Sequence, residues 1–518
     1  MTIDPNIASQ DIRMLTYNIE DRGERPLYEF IYDSIKTDIL AGRLAEGEKL
    51  PSKRKLASNL SVSLITIEGA FKQLVAEGYI YSSERRGFYV NRILPQSMAS
   101  DRNLEGGSDR SVSSHHADDE SLGSCDRREQ ESASCARMDD EEASIAFDLT
   151  GKRPPKGLFP YNRWAACIRK SLADADEERL LEESGPFGSF VLRKAIANFL
   201  FAYRGVEVDP RNIVVAAGSQ MLYQLIIQLL GHDRIYALED PGYRRLARIY
   251  AANAVETRFI ATTDDGIDVR RLRETSASVA HIMPSHQYPT GCITPIARRY
   301  ELLSWATSSP GKYIIEDDYD SELRFSGRPI PSLQSIDAQS KVIYLNTFAK
   351  SLGPSFRISY MVLPEDLTRE FQKRLGFYSC TVNAVDQLAL ARFINDGDLE
   401  RHINRLRTHF RSIAERIQNG LKRNGLETMS LCNASAGSHG LLRIKDRDDA
   451  HAFAEVARTE RIRIKPLADF RLDEADRSNR SLPENAGALL FFEFGSLKDG
   501  DVDPCCERLA RAYGAYAR

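Results

Sequence analysis

The chain has 518 residues, too many for one hydrophobic core at roughly 150 residues per domain, so at least two domains are expected. Hydrophobic residues make up 42% and charged residues 28%, a globular balance, and no apolar stretch approaches the roughly 18 residues of a membrane-spanning helix. Lys and Arg number 70 against 74 Asp and Glu, and the net charge of −4 excludes a uniformly basic nucleic-acid coat while allowing a local patch.

Residues 1–24 read as an N-terminal extension. Met1-Thr2-Ile3-Asp4-Pro5 is not a basic segment followed by an apolar one, so a secretory signal is not expected, and the expected localisation is cytoplasmic. From Leu27 the apolar residues Phe30, Ile31, Ile35 and Ile39 recur at helical spacing up to Gly42. Ser52 and Ser63 stand where N-caps belong, ahead of Leu56, Ala57 and Leu60 and of Ile67, Ala70, Phe71 and Leu74. Tyr79-Ile80-Tyr81 and Gly87-Phe88-Tyr89-Val90 flank Ser83-Glu84-Arg85-Arg86 and predict a hairpin. Three helices and a hairpin over residues 25–92 make a winged helix-turn-helix. This segment holds 11 Lys and Arg against 8 Asp and Glu, a local net charge of +3. Lys53 and Arg54 at a helix start and Arg85 and Arg86 at the hairpin tip can meet phosphates of double-stranded DNA on both sides of a groove. A solvated, protein-binding face is the alternative.

Residues 93–144 predict an acidic, disordered linker: 95–144 carry 13 Asp and Glu against 5 Arg, with almost no aromatic or β-branched residues to offset the entropy of ordering. The eight cysteines are scattered, and the adjacent pair Cys505-Cys506 has no metal-motif spacing. Reduced thiols are expected, and no metal site.

Residues 145–518 alternate apolar strands with amphipathic helices. Strands are predicted at 212–216, 235–238, 281–284, 313–315, 342–345 and 358–363. That order implies an α/β domain with a mostly parallel sheet, whose ligands gather at the carboxyl ends of the strands. One such end carries Thr347-Phe348-Ala349-Lys350, followed by Arg357. Pyridoxal 5′-phosphate needs an amine for a Schiff base, hydroxyls and a cation for its phosphate, and an acid against its ring nitrogen. Lys350 can supply the amine, Thr347 and Arg357 can reach the phosphate, and Asp317 can serve the ring. Taken alone, Lys350 reads as a surface lysine, but the other strand ends agree with the cofactor. Ala217-Gly218-Ser219-Gln220 opens a helix as an anion site. Asp317 and Tyr319, two residues apart, can point the same way. Tyr243, after the turn Glu239-Asp240-Pro241-Gly242, offers an aromatic face. The acids of 316–320 also invite a divalent-metal reading.

Across 25–92, the runs Pro26-Leu27-Tyr28, Gly47 to Ala57, Val62-Ser63 and Glu77 to Ile80 resemble the GntR class of bacterial transcription regulators. That resemblance implies DNA contacts from Arg54 and from Ser63 to Thr66, with the wing at Arg86-Gly87 in the adjacent minor groove. One departure is that Leu64-Ile65 stand where the family usually has Arg-Asn, which puts more weight on Lys53, Arg54 and the wing. Glu239 to Tyr243, Ser285 to Gly291, Glu316 to Glu322 and Thr347 to Lys350 resemble fold-type I pyridoxal-phosphate enzymes and, behind a GntR-like module, the MocR subfamily of regulators. The resemblance implies a catalytic-type Lys350 bonded to the cofactor, Asp317 on the ring nitrogen, Tyr319 at the ring oxygen and Tyr243 on the ring face. It places Ser219, Gln220, Thr347 and Arg357 on the phosphate, and it implies a homodimer.

Two departures weigh against an enzyme. Tyr288, not Asn, precedes the Pro-Thr-Gly, with Gln287 before it, and alignment on Gly495 puts Leu490 where aminotransferases keep a carboxylate-gripping Arg. Arg245 is a candidate partner for a carboxylate, with a solvated surface arginine as the equal alternative, and Arg471, Arg477 and Arg480 are weaker candidates. The expected function is therefore a transcription regulator sensing pyridoxal phosphate, an amine or an amino acid through a Schiff base at Lys350. An active aminotransferase with a vestigial DNA module is the rival, and a protein-interaction adaptor is a third reading.

Overall fold

The structure, a computed structural model, describes residues 17, 26–45, 47–60, 62–76, 79–83, 87–90, 145–151, 157–175, 180–325, 331–472 and 488–517. The linker 93–144, Arg85, Arg86, Arg477 and Arg480 lie outside these residues.

In the N-terminal module, α1 (Leu27–Leu40), α2 (Lys53–Asn59) and α3 (Leu64–Ala76) precede the strands β1 (Ile80–Ser83) and β2 (Gly87–Val90). Both serine caps form. Ser52 accepts the Lys55 N–H at 3.3 Å, and Ser63 accepts the Thr66 N–H at 3.1 Å. Gly42 turns the chain after α1 in the left-handed region, with φ +70°. The apolar positions that set the helical spacing, Ile31, Ile35, Leu56, Ile67, Phe71 and Leu74, meet in one core. β1 and β2 pair antiparallel from Ile80 against Val90 to Ser83 against Gly87, the geometry of a wing.

After β3 (Phe147–Asp148) comes an eight-stranded sheet built from β4 (Ile213–Ala216), β5 (Tyr236–Asp240), β6 (Thr257–Thr263), β7 (Gly266–Ile267), β8 (Val279–Ile282), β9 (Tyr313–Asp317), β10 (Val342–Thr347) and β11 (Ser359–Val362). Its order is β4-β11-β10-β9-β8-β5-β6-β7. From β10 to β6 the pairing is parallel, whereas β11 runs antiparallel to both its neighbours. Helices cover both faces, so β4, β5, β8, β10 and β11 are buried along their whole length, as continuous apolar runs require. The strand expected at 281–284 is shifted two residues earlier.

A second, four-stranded sheet of order β12-β13-β16-β15 is built from β12 (Met429–Cys432), β13 (His439–Ile444), β15 (Lys465–Pro466) and β16 (Ala488–Glu493). Between β13 and β15, β14 (Ile462–Arg463) pairs in parallel with β3, so the first described residues after the linker are stitched onto this C-terminal part. No helix among the described residues is long and apolar enough to cross a membrane.

Candidate functional site

The carboxyl ends of the parallel strands open into a cavity of about 570 Å³, and every side chain singled out above for the cofactor lines it. At the end of β9, Asp317 is buried and accepts the Tyr223 hydroxyl at 2.6 Å. His281 Nε2 lies 3.4 Å from the same oxygen, and the Tyr250 hydroxyl meets His281 Nδ1 at 2.8 Å. A relay of two phenols and an imidazole thus fixes the acid, and burial raises both phenol pKa values well above their ordinary range. Tyr223 and His281 carry no motif of their own. They gain meaning only because the helix Ser219–Leu230 and β8 flank Asp317.

The neighbouring acids each have a basic partner. Glu316 pairs with buried Arg299 at 3.2 Å, Asp318 with Arg204 at 3.0 Å, and Asp320 with His286 at 2.8 Å. Each of these three acids is thus engaged by a basic side chain of its own. Tyr319 does share the cavity side with Asp317, and its hydroxyl donates to the carbonyl of His286 at 2.8 Å.

At the end of β10, Thr347 Oγ1 accepts the Ser359 hydroxyl at 2.7 Å and the Ala349 N–H at 3.2 Å, which shapes the turn that carries Lys350. The Lys350 ammonium stands 5.7 Å over the Tyr319 ring. Beneath the turn, His402 Nε2 bonds the Ser351 carbonyl at 2.6 Å, and burial lowers its pKa to about 4, so the ring is a neutral donor.

Opposite Lys350, Gly218 takes φ +85° immediately before Ser219 starts its helix. The Arg357 guanidinium lies against this glycine so closely that a Cβ would collide with it, and it reaches the Ala217 carbonyl at 3.4 Å. The amide groups of Ser219 and Gln220 at the helix start, the hydroxyls of Ser219 and Thr347 and the Arg357 cation make a corner suited to a dianion.

The far wall is aromatic. Half-buried Tyr243 meets Tyr288 edge to face at 5.5 Å, and Tyr288 meets Phe491 at 5.4 Å. Gln287 is fully buried and spent on its own turn: its amide donates to the Pro241 and Tyr288 carbonyls at 2.9 and 2.8 Å, and its oxygen accepts from Thr290. It offers no group to the cavity. Arg245 sits exposed at the rim. Arg471 lies 3.9 Å from Asp240 and outside the cavity lining.

Leu490, which the sequence places where aminotransferases keep an arginine, does not face the cavity. Leu490 and Phe492 point into the hydrophobic core, while the residues of β16 that reach the cavity are Phe491 and Glu493. Alternation along β16 gives the two sets of residues opposite faces.

On the N-terminal module, Ser63 and Thr66 hydroxyls bond each other at 2.7 Å at the start of α3. Lys53 lies 3.9 Å from Glu68 and 5.2 Å over the Phe88 ring, at the junction of α2, α3 and the wing, and Arg54 is exposed beside it. Gly87 opens β2 at φ +110°. Ile65 is 80% exposed and Leu64 38%, large apolar side chains presented to solvent at the start of α3.

Two family models match the chain. Bacterial regulatory proteins of the gntR family match residues 27–90, and aminotransferase class I and II matches residues 159–480. YdeL of Bacillus subtilis, an HTH-type transcriptional regulator, is 34% identical over 443 residues, 86% of this chain and 89% of its own. The probable rhizopine catabolism regulatory protein MocR of Rhizobium meliloti is 31% identical over 383 residues, 74% of each chain. Among solved structures, Pyrococcus horikoshii kynurenine aminotransferase superposes with a TM-score of 0.63 at 24% identity, over 74% of this chain and 95% of that one.

Proposed function

Because this chain belongs to the MocR-type subfamily, in which a gntR-family winged helix is joined to a class I and II aminotransferase domain, we propose that it is a transcription regulator that binds promoter DNA and senses pyridoxal 5′-phosphate, or an amine or amino acid, at Lys350. The fold family implies that cofactor, and the chain's residues fit it. The fit is carried by one observation: an amine, a fixed carboxylate and a dianion corner converge on a single cavity.

When bound, pyridoxal phosphate supplies an aldehyde carbon for an amine to bond and a ring that draws electrons from it. Lys350 offers that amine from the turn after β10. Asp317, held by Tyr223 and His281, stays an acceptor for a ring N–H. Ser219, Gln220, Thr347 and Arg357 hold the phosphate, Tyr243 covers the ring, and Tyr319 stands beside Lys350. On the other module, Lys53, Arg54, Ser63, Thr66 and Gly87 form the DNA face, and Arg85 and Arg86, which precede Gly87 in sequence, are further candidates for it. A homodimer places two such faces on one promoter.

An effector alters DNA binding only through its differential affinity for two states of the protein. Reduction with borohydride followed by peptide mapping tests the cofactor arm, and Lys350→Ala is expected to abolish the label. An adduct that survives in the variant sinks the assignment. Footprinting with and without candidate amines tests the DNA arm, and a promoter left unprotected under every condition counts against it.

The aminotransferase reading draws on the same full set of cofactor residues. It predicts steady turnover with a keto acid at ~1 to 1,000 per second. Against it stands β16, which turns an aromatic ring and an acid, not a cation, toward the cavity.

A further inference from the structure

We propose that Glu493 sets the chemical class of the effector, a primary amine that carries a second ammonium group and no carboxylate next to the reacting nitrogen. The proposal rests on pyridoxal phosphate being held at Lys350, and it goes further by naming what the rest of the cavity recognises.

Glu493 ends β16 with its side chain toward the cavity and is 5% exposed. Its carboxylate is built in. Oε1 accepts the Gly495 N–H at 3.3 Å, and Ser438 donates a second hydrogen bond. Gly151, at φ +81°, passes beside Oε2, where a side chain's Cβ would stand 3.4 Å away. Burial raises the pKa of this carboxyl, and the nearby Lys350 ammonium is the largest influence that lowers it again. A buried acid in this position therefore gains most from a cation in front of it.

The surrounding surface favours the same partner. Phe491 stands two residues before Glu493 on the same strand face, Tyr288 packs against it at 5.4 Å, and Phe470 meets Phe491 at 5.1 Å. His439 lies 5.1 Å from the Phe491 ring, and its pKa is lowered well below the ordinary value by burial, so it brings no charge. Aromatic faces around one desolvated carboxylate are a surface for an alkylammonium ion.

A carboxylate there meets the opposite condition. The described cations of the cavity are Lys350, which is the reacting amine, Arg357 in the dianion corner and Arg245 exposed at the rim. None stands on β16. A like charge brought up to a buried carboxylate disfavours a ligand just as an opposite charge favours one.

The experiment uses the full chain loaded with pyridoxal phosphate, with loading checked first by its absorption band and borohydride labelling of Lys350. Linear diamines of increasing length and ω-amino acids of matched length are then titrated by calorimetry and by the shift in promoter affinity. The wild-type protein is expected to bind its best diamine at least tenfold more tightly than the matched amino acid. In E493Q that ratio is expected to fall at least tenfold, while E493D keeps the preference with weaker binding. Normal loading with an amino-acid preference, or a ratio that E493Q leaves untouched, overturns the proposal alone. Failure of Lys350 to take up the cofactor overturns the underlying reading as well.

Discussion

At the scale of a residue, His402 shows how burial assigns chemistry. It is 1% exposed and donates to the Ser351 carbonyl one residue beyond Lys350, and its folded pKa of about 4 lies below the unfolded value of ~6.5. For a base, a depressed folded pKa means that the unfolded chain takes up the proton first. His402's contribution to stability is complete above the unfolded value and is lost as the pH falls from ~6.5 toward about 4, up to about 3 kcal/mol. Between pH 7 and 5 the thermal midpoint of the wild-type protein is expected to drop further than that of His402→Gln, which keeps a donor but takes no proton. Equal drops refute this. Lys350, Asp317 and Thr347 were legible beforehand because each sits at a strand end recognisable from its own local pattern. His402, Tyr223 and Glu493 were not, since each reaches the cavity from an element whose position depends on long-range packing.

At the scale of an element, α3 carries an apolar start where its family usually carries polar side chains. Ile65 and Leu64 neutralise no phosphate, but they can lie against thymine methyl groups in a major groove. Ile65→Ala is expected to weaken promoter binding by about 1 to 3 kcal/mol at every salt concentration while leaving the salt slope unchanged. Arg54→Ala is expected to reduce that slope by about 1. Binding isotherms over a salt series separate the two, and a change of slope for Ile65→Ala removes the methyl-contact account. Elements announced by one uniform period, such as α1, β5 and β10, were readable within a few residues. β6 alternates irregularly one strand in from the sheet edge, and β12, β13 and β15 join a small sheet whose order follows from folding the chain back on itself. Their signals are too short to stand alone.

At the scale of the whole molecule, the first strand described after the linker is β3. Asp148 is buried, holds Arg463 at 3.1 Å and accepts the Thr150 N–H at 3.0 Å. Breaking such a pair from one side strands a buried charge, so Asp148→Ala is expected to cost about 3 kcal/mol in denaturant unfolding of the large domain. It is also expected to lessen, several-fold, the factor by which an amine shifts promoter affinity. An unaltered factor separates this pair from signalling. The next residue along, Leu149, accepts the Glu493 N–H at 3.0 Å, and Thr150 and Gly151 form part of the cavity lining. The first described residues after the linker thus run along the very wall that greets a ligand, so an occupant of the cavity presses directly on the stretch that leads back toward the DNA-binding module.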